Sequence, residues 1–234
     1  GAKRGDAIEV EIVDIAPDEY GYTVIAPGFG FLRDVFTEPY IVNWRLTRNG
    51  AVSFEMPGVT VPYEAFPGSI GVMPGNQEVD KILKREAGLA GAGGAVLMPS
   101  GPGALPADLC GEGGTAEDRC LRTIPPRENG GNMDVQQQQI GTRMLFPCFI
   151  DGCGLFVGDV HYAQGDGEVS GTAIEMGSIT TLRVVKIHEG KGAKMSMPAT
   201  KGNDQIIDME PARYYQTVGI PIKGAGELHP THQY

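Results

Sequence analysis

The eleven residues GDVHYAQGDGE, Gly158 to Glu168, hold three carboxylates, an imidazole and three glycines between two apolar segments. Asp159 and His161 stand two apart, so an extended backbone from Leu155 puts both on one face together with Leu155 and Val157. A carboxylate and an imidazole so placed can share a proton or a divalent metal. Asp166 and Gly167 make a favourable turn pair, and Glu168, Ser170 and Thr172 then alternate as a returning strand over Val169 to Met176. A two-residue turn would set Thr172 opposite His161 and leave Glu168 roughly 13 Å along the strand. A wider loop over Tyr162 to Gly167, which Gly165 and Gly167 permit, brings Glu168 level with His161 and closes an acid/imidazole cluster. The wider loop is the expected one. A solvated hairpin with an ordinary Asp-Gly turn accounts for the same residues without any chemistry.

The elements that must position these groups are short. Thirty-five glycines and seventeen prolines, spread throughout, leave little room for long helices. Ala7 to Asp14 alternates, with Ile8, Val10 and Ile12 on one face and Glu9, Glu11 and Val13 on the other. Ile41 to Leu46 and Ala51 to Phe54, joined through Arg48-Asn49-Gly50, read as a hairpin. Ser69 to Met73 reads as a strand entering the one clear helix at Asn76, where Asn76 can cap, Val79, Ile82 and Leu83 form a stripe, and Gly88 can stop it. Gly91 to Gly114 reads as a long Gly/Pro/Ala-rich surface loop, and Thr115 to Leu121 as one further helical turn. Met144 to Ile150, Leu155 to His161 and Thr180 to His188 read as strands, and Tyr214 to Ile220 is β-rich. The fold class is therefore mainly β, of sandwich or barrel type, with a small α/β insertion over residues 76–122 in a single domain spanning 1–234.

Net charge is −10 with no long basic run, which argues against nucleic acid and anionic membranes as partners. No apolar run approaches the roughly 20 residues of a membrane span, so a cytoplasmic protein is expected. No Gly-rich phosphate loop follows a strand, so no nucleotide cofactor is indicated. Cys110, Cys120, Cys148 and Cys153 read as free thiols rather than staples, and their spacing fits no zinc knuckle. Cys148 and Cys153 have no cation beside them in sequence and read as buried and inert. His188, His229 and His232 read as surface residues. Trp44 and the aromatics of Phe29 to Phe36 read as core.

Three motifs, in order, carry a resemblance: TIPPRENGGNMD at Thr123 to Asp134, GDVHYAQGDGEVSGTAIE from Gly158, and MPATKGND at Met197 to Asp204. They resemble the acetamidase/formamidase family, which hydrolyses short aliphatic amides, and the similarity runs from GDAIEVEIVDI to TVGIPIKGAGE. Glu128 stands where the acetamidase branch tends to carry a His, so the motif is closer to the formamidase branch. The resemblance implies a small neutral amide as substrate. Family chains extend further at both ends, so further segments of the same protein are expected to complete the fold, in a homo-oligomer.

Amide hydrolysis needs a strong nucleophile, a stabilised oxyanion and a proton for the leaving nitrogen. In the favoured route Asp159 and His161, with Asp134, hold a divalent metal, zinc being the expected one, that activates water, while Glu168 or Asp166 moves the proton. In the other, Cys153 or Cys148 attacks as thiolate. The RENGGNMD loop supplies Glu128, Gly131 and Asn132 as candidate substrate contacts, since glycine lets backbone approach closely and an Asn amide both donates and accepts. A cupin-like metal barrel and a non-enzymatic β-sandwich binding module are the rival readings. Ala163 stands where the cupin pattern needs a second His.

Overall fold

Ala7–Ile25 forms one nineteen-residue strand, β1, and the sheet is assembled along it. The computed structural model describes residues 1–92, 105–202, 214–216, 222–224 and 227–228. Residues 93–104 of the Gly-rich stretch, Asn203 and Asp204 of the third motif, most of Tyr214 to Ile220, and His229 and His232 lie outside the described residues. The remaining strands of the main sheet are β2 (Tyr40–Thr47), β3 (Gly50–Ser53), β4 (Thr60–Val61), β5 (Phe66–Val72), β6 (Gly130–Asn132), β7 (Arg143–Pro147), β8 (Leu155–His161), β9 (Glu175–His188), β10 (Ala199–Gly202) and β11 (Tyr214–Gln216). They form an eleven-stranded sheet in the order β11-β10-β7-β1-β9-β8-β5-β6, with β2, β3 and β4 running off β1. Every pairing described is antiparallel. The architecture is mainly β.

Alternation in β1 buries Ile8, Val10 and Ile12 as expected, and a bulge between Ile12 and Asp14 carries Ile15 onto the buried face as well. These side chains pack with Ile70 and Val72 of β5 and Met144 and Phe146 of β7 in one cluster. A second cluster joins Trp44, Leu46, Ala51, Tyr162 and Ile174. Tyr162 is fully buried and its hydroxyl donates to the Thr47 carbonyl at 2.7 Å. The β2–β3 hairpin closes at the pair Thr47 and Gly50, so Arg48 and Asn49 are its loop and Gly50 is already in the strand.

The chain forms two compact units, one of Gly1–Met73 with Pro126–Val218 and another of Pro74–Pro125 with Gly219–Tyr234. The second unit holds helix α1 (Asn76–Gly91). Asn76 does not cap it: Gly75 occupies that position without a side-chain bond, and the helix runs on through Gly88. Of the expected stripe only Ile82 is buried, beside Glu86, which pairs with Arg122 at 3.4 Å. A short helix, α2 (Ala107–Cys110), precedes a single turn at Glu117–Arg119.

The cysteines depart from expectation. Cys110 is bonded to Cys120, and Cys148 to Cys153, so no described cysteine is a free thiol. The partners are 10 and 5 residues apart, and the turns between them bring the sulfurs together. No helix among the described residues is long and apolar enough to cross a membrane.

Candidate active site

The site grows from Gly68. β5 lies between β6 and β8, and the register sets Phe66 opposite His161 and Ser69 opposite both Asn132 and Gly158. Gly68 has no side chain to interpose, and a Cβ there would stand 2.7 Å from His161 Nε2 and 2.7 Å from the Asp159 carbonyl. Its own carbonyl accepts from the Met133 and Asp134 amides at 2.9 and 3.1 Å. One glycine therefore seats the imidazole from β8 and hangs the Asp134 segment beside it. Phe66, fully buried, meets the ring edge-on at a centroid distance of 5.1 Å.

Four carboxylates converge on that ring. His161 Nε2 lies 3.4 Å from Glu175 Oε2, 3.6 Å from Asp159 Oδ1 and 4.0 Å from Glu168 Oε1. Asp134, His161 and Glu168 form one group of possible metal ligands within 4.8 Å of one another, and Asp159, His161 and Glu175 form another. His161 is only 1 % exposed. Its Nδ1 lies 2.8 Å from Gln164 Oε1, and Gln164 Nε2 donates to the Asp134 carbonyl at 2.9 Å. That orientation makes Nδ1 the protonated nitrogen and turns Nε2 toward the acids.

Glu175 ends the second sequence motif but is not among the expected site residues. No returning strand starts at Glu168: residues 162–174 form a loop, β9 begins at Glu175, and Glu175 is the residue level with His161. Glu168 reaches the cluster from inside that loop. The signal available was Glu175 itself, an acid opening the long alternating run of β9, but only a loop of this length brings it into register. Gly68, Ser69 and Gln164 were likewise missed, since none has an ionisable side chain.

Three of the four described non-glycine residues in the left-handed region are acids of this cluster, Asp134 (φ 52°), Asp159 (φ 52°) and Glu168 (φ 47°). Asp tolerates that conformation better than Glu, and such strain gathers where surrounding structure over-determines a functional geometry. Asn132 Nδ2 donates to Asp134 Oδ2 at 3.1 Å. Ser69 Oγ lies 2.8 Å from Asn132 Oδ1 and 3.3 Å from Asp159 Oδ2, and its one proton serves one of them at a time. Asp134 Oδ1 is buried with no hydrogen-bond partner.

Electrostatics follow from crowding and burial. Burial pushes the Glu168 carboxyl up to about 8, with repulsion from Asp134 adding to it. Burial likewise lifts Asp134 to about 6, against the pull of His161. Glu175 is raised by burial too. Asp159, closest to solvent, is held below its usual range by the adjacent imidazole. Burial alone would depress His161, but Asp159 and Glu175 outweigh it and lift the ring to about 9.

Other expected site residues stand apart. Asp166 is exposed and bonded to the Gln136 amide, outside both ligand groups. Glu128 occupies, with Asn129, the two-residue turn between the bridged residues Arg127 and Gly130, and is in neither group. Gly131 (φ 109°) has no heavy atom closer than 3.9 Å where a Cβ would be. His188, expected at the surface, is three-quarters buried, with Nε2 2.9 Å from Glu9 Oε2.

Beside the cluster lies a cavity of about 290 Å³. Glu168 and Gln164 line one side, and Ile25, Phe29, Leu32, Phe36 and Val169 line others, with Arg33 and Thr172. Phe29, Leu32 and Phe36 are between 38 and 47 % exposed, so this stretch is pocket wall rather than the expected core.

Comparison with known proteins agrees with these features. The profile of the acetamidase/formamidase family matches residues 1–233. An acetamidase of Mycolicibacterium smegmatis is 35 % identical over 213 residues, covering 81 % of this chain and 52 % of its own. A formamidase of Methylophilus methylotrophus is 32 % identical, covering 81 % of this chain and 50 % of its own. Among solved structures, a gamma lactamase from Delftia acidovorans superposes with a TM-score of 0.77 at 32 % identity, over 86 % of this chain and 53 % of that one. The chain spans about half the length of the relatives it matches.

Proposed function

Because this chain belongs to the acetamidase/formamidase family, we propose that it is an amidase hydrolase that cleaves the carbon–nitrogen bond of small neutral amides to a carboxylate and ammonia. The observation that carries this reading is the convergence of Asp134, Asp159, Glu168 and Glu175 on His161 at the wall of a cavity.

The donor set fits a divalent metal, zinc first. Donors held at about 2.1 Å around a tetrahedral ion stand roughly 3.4 Å apart, and Asp159 and Glu175 lie 3.6 and 3.4 Å from His161 Nε2. Gln164 keeps a proton on Nδ1, so Nε2 is the nitrogen that would ligate a cation, giving up its own proton to do so. Asp134, with a buried oxygen lacking any partner, has the unmet coordination that a cation satisfies. A metal bound there lowers the pKa of water to about 7 and polarises a carbonyl oxygen. Asp159, His161 and Glu175 hold it in this reading, with Asp134 as a further ligand or as acceptor of the water's proton.

Glu168 faces both cluster and cavity, so it is the group placed to protonate the leaving nitrogen. Asn132 is a positioning residue for Asp134, through the 3.1 Å bond. Gly131, with open space where a side chain would stand, and Glu128 of the turn before it remain candidate substrate contacts, whereas Asp166, exposed and bonded to Gln136, has no part in the reaction proposed. The cysteine route has no thiolate, because Cys148 and Cys153 are bonded together. Assembly as a homo-oligomer belongs to the proposal, tested by sedimentation. So does a cytoplasmic setting, although disulfides persist mainly in oxidising compartments; counting thiols in protein taken from cells tests it.

The deciding experiment combines ammonia release from formamide and acetamide with elemental analysis. His161→Ala should lose both metal and rate. Glu168→Gln should keep the metal and lose about 100- to 10,000-fold in turnover, the usual worth of a positioned proton donor. A protein without stoichiometric metal, whose ammonia release survives chelator, removes the metal from the mechanism.

A further inference from the structure

We propose that the cavity beside the cluster receives the acyl group of the substrate, so that the preferred amides carry an apolar chain or ring of about six carbons rather than the single hydrogen of formamide. This rests on the amidase reading above and adds to it a substrate class and the residues that select it.

Size is the first argument. A cavity of 150 Å³ lined by apolar side chains admits benzene, and this one holds about 290 Å³. Formamide, with three non-hydrogen atoms, would leave most of it to water. Chemistry is the second. The side nearest His161 is polar, with Glu168 and Gln164, while Ile25, Phe29, Leu32, Phe36 and Val169 supply an aliphatic and aromatic surface. An amide with its nitrogen toward Glu168 points its acyl substituent at those apolar groups.

The wall is built rather than accidental. Phe31 donates its amide to the Val169 carbonyl at 2.8 Å, and Thr172 Oγ1 donates to the Val24 carbonyl at 2.8 Å while accepting from the Val24 amide at 3.0 Å. Two left-handed glycines let the two loops close on each other. A Cβ on Gly30 (φ 82°) would lie 2.5 Å from the Ser170 carbonyl, and one on Gly171 (φ 79°) would overlap the Phe29 ring. The loop that carries Glu168 is thus clasped to the loop that carries Phe29, Leu32 and Phe36, which couples acyl recognition to placement of the proton donor. Leaving these side chains partly in water has a cost that an apolar acyl group removes.

The test is kcat/KM for ammonia release by the full metal-loaded chain across formamide, acetamide, butyramide, hexanamide and benzamide. Each methylene buried should add about 0.8 kcal/mol, close to fourfold. The expected result is a climb of at least fiftyfold from formamide to hexanamide, with benzamide near the top. In Leu32→Ser and Phe36→Ser, at half-exposed positions that folding tolerates, the hexanamide-to-formamide ratio should fall at least tenfold. A wild type that prefers formamide, or a ratio unmoved by both substitutions, overturns the pocket while leaving the amidase reading intact. If no amide in the series releases ammonia, the amidase reading fails, and calorimetry then judges the pocket alone. Hexanamide binding weakened tenfold by Leu32→Ser supports it, and absence of binding overturns it.

Discussion

Gly68 contributes no functional group, yet it seats two of the groups that define the site. Its carbonyl fixes the Asp134 segment and its bare Cα leaves room for His161 Nε2. Gly68→Ala places a methyl 2.7 Å from both the imidazole and the Asp159 carbonyl, and only a shift of β8 or of the ring relieves it. Overpacking of this kind costs about 1–3 kcal/mol. The expected outcome is a matching fall in the urea midpoint together with a loss of zinc affinity, read by competition with a chromogenic chelator. Unchanged zinc affinity in a destabilised Gly68→Ala protein would show that the close packing is structural only.

At the scale of elements, the end of the sheet where β1 begins, beside the end of β7 and the end of β9, is tied by local devices whose roles separate from chemistry. Asp6, just before β1, accepts from the Lys3 amide at 2.8 Å and the Gly190 amide at 2.9 Å, pinning the turn after β9 to the chain start. The Gly190 and Lys3 amides hold its carboxyl below the usual aspartate range. A depressed acid stabilises the fold above its unfolded pKa, and that contribution is lost as pH falls through the folded one. Asp6→Asn should therefore be less stable than wild type at pH 6, with the difference shrinking as pH falls below the ordinary aspartate pKa of about 3.9, measured by urea midpoints across that range. The Cys148–Cys153 link follows β7 and closes a turn ahead of β8. Closing so short a loop stabilises by at most a few kcal/mol in chain-entropy terms. Cys153→Ser should lower the melting temperature yet retain most turnover at a temperature where it is folded. A thousandfold loss, with an acyl-thioester seen by mass spectrometry in the wild type, returns cysteine to the mechanism.

For the whole molecule, the division into two units makes a separate forecast. Every candidate ligand lies in the unit of Gly1–Met73 and Pro126–Val218, and none in that of Pro74–Pro125 and Gly219–Tyr234 among the described residues. A ligand that binds only the native state stabilises what it binds, by about 2.7 kcal/mol at a hundredfold excess over its dissociation constant. Calorimetry with added zinc should raise the melting of the first unit. It should leave any separate transition of the second unit, where the Cys110–Cys120 link and the 2.7 Å Arg119–Asp80 pair lie, where it was. An equal shift of both would mean that the zinc binds elsewhere or that the chain melts as one.

What the sequence determined by itself was local. Leu155–His161 was legible as a strand to the residue, as was the buried face of Ile8, Val10 and Ile12, because two-residue alternation is a property of neighbours. The proximity of Asp159 and His161 followed from their spacing, although the structure reaches it with Asp159 in the left-handed region rather than by plain alternation, and three ordered motifs sufficed for the family. Tertiary structure alone decided the partners. Glu175 faces His161 because Tyr162 and Ala163 exchange backbone hydrogen bonds with Ile174 and only residues 164–173 loop out, which takes Tyr162 and Ile174 into the core beside Trp44. Gly68 sits under the imidazole only because β5 pairs with β8, some ninety residues away. Phe29 and Phe36 read as core by composition, and became a pocket wall because Gly30 and Gly171 let two distant loops clasp beside the site. Such choices are made by burial and hydrogen bonding across long separations, which no window along the chain contains.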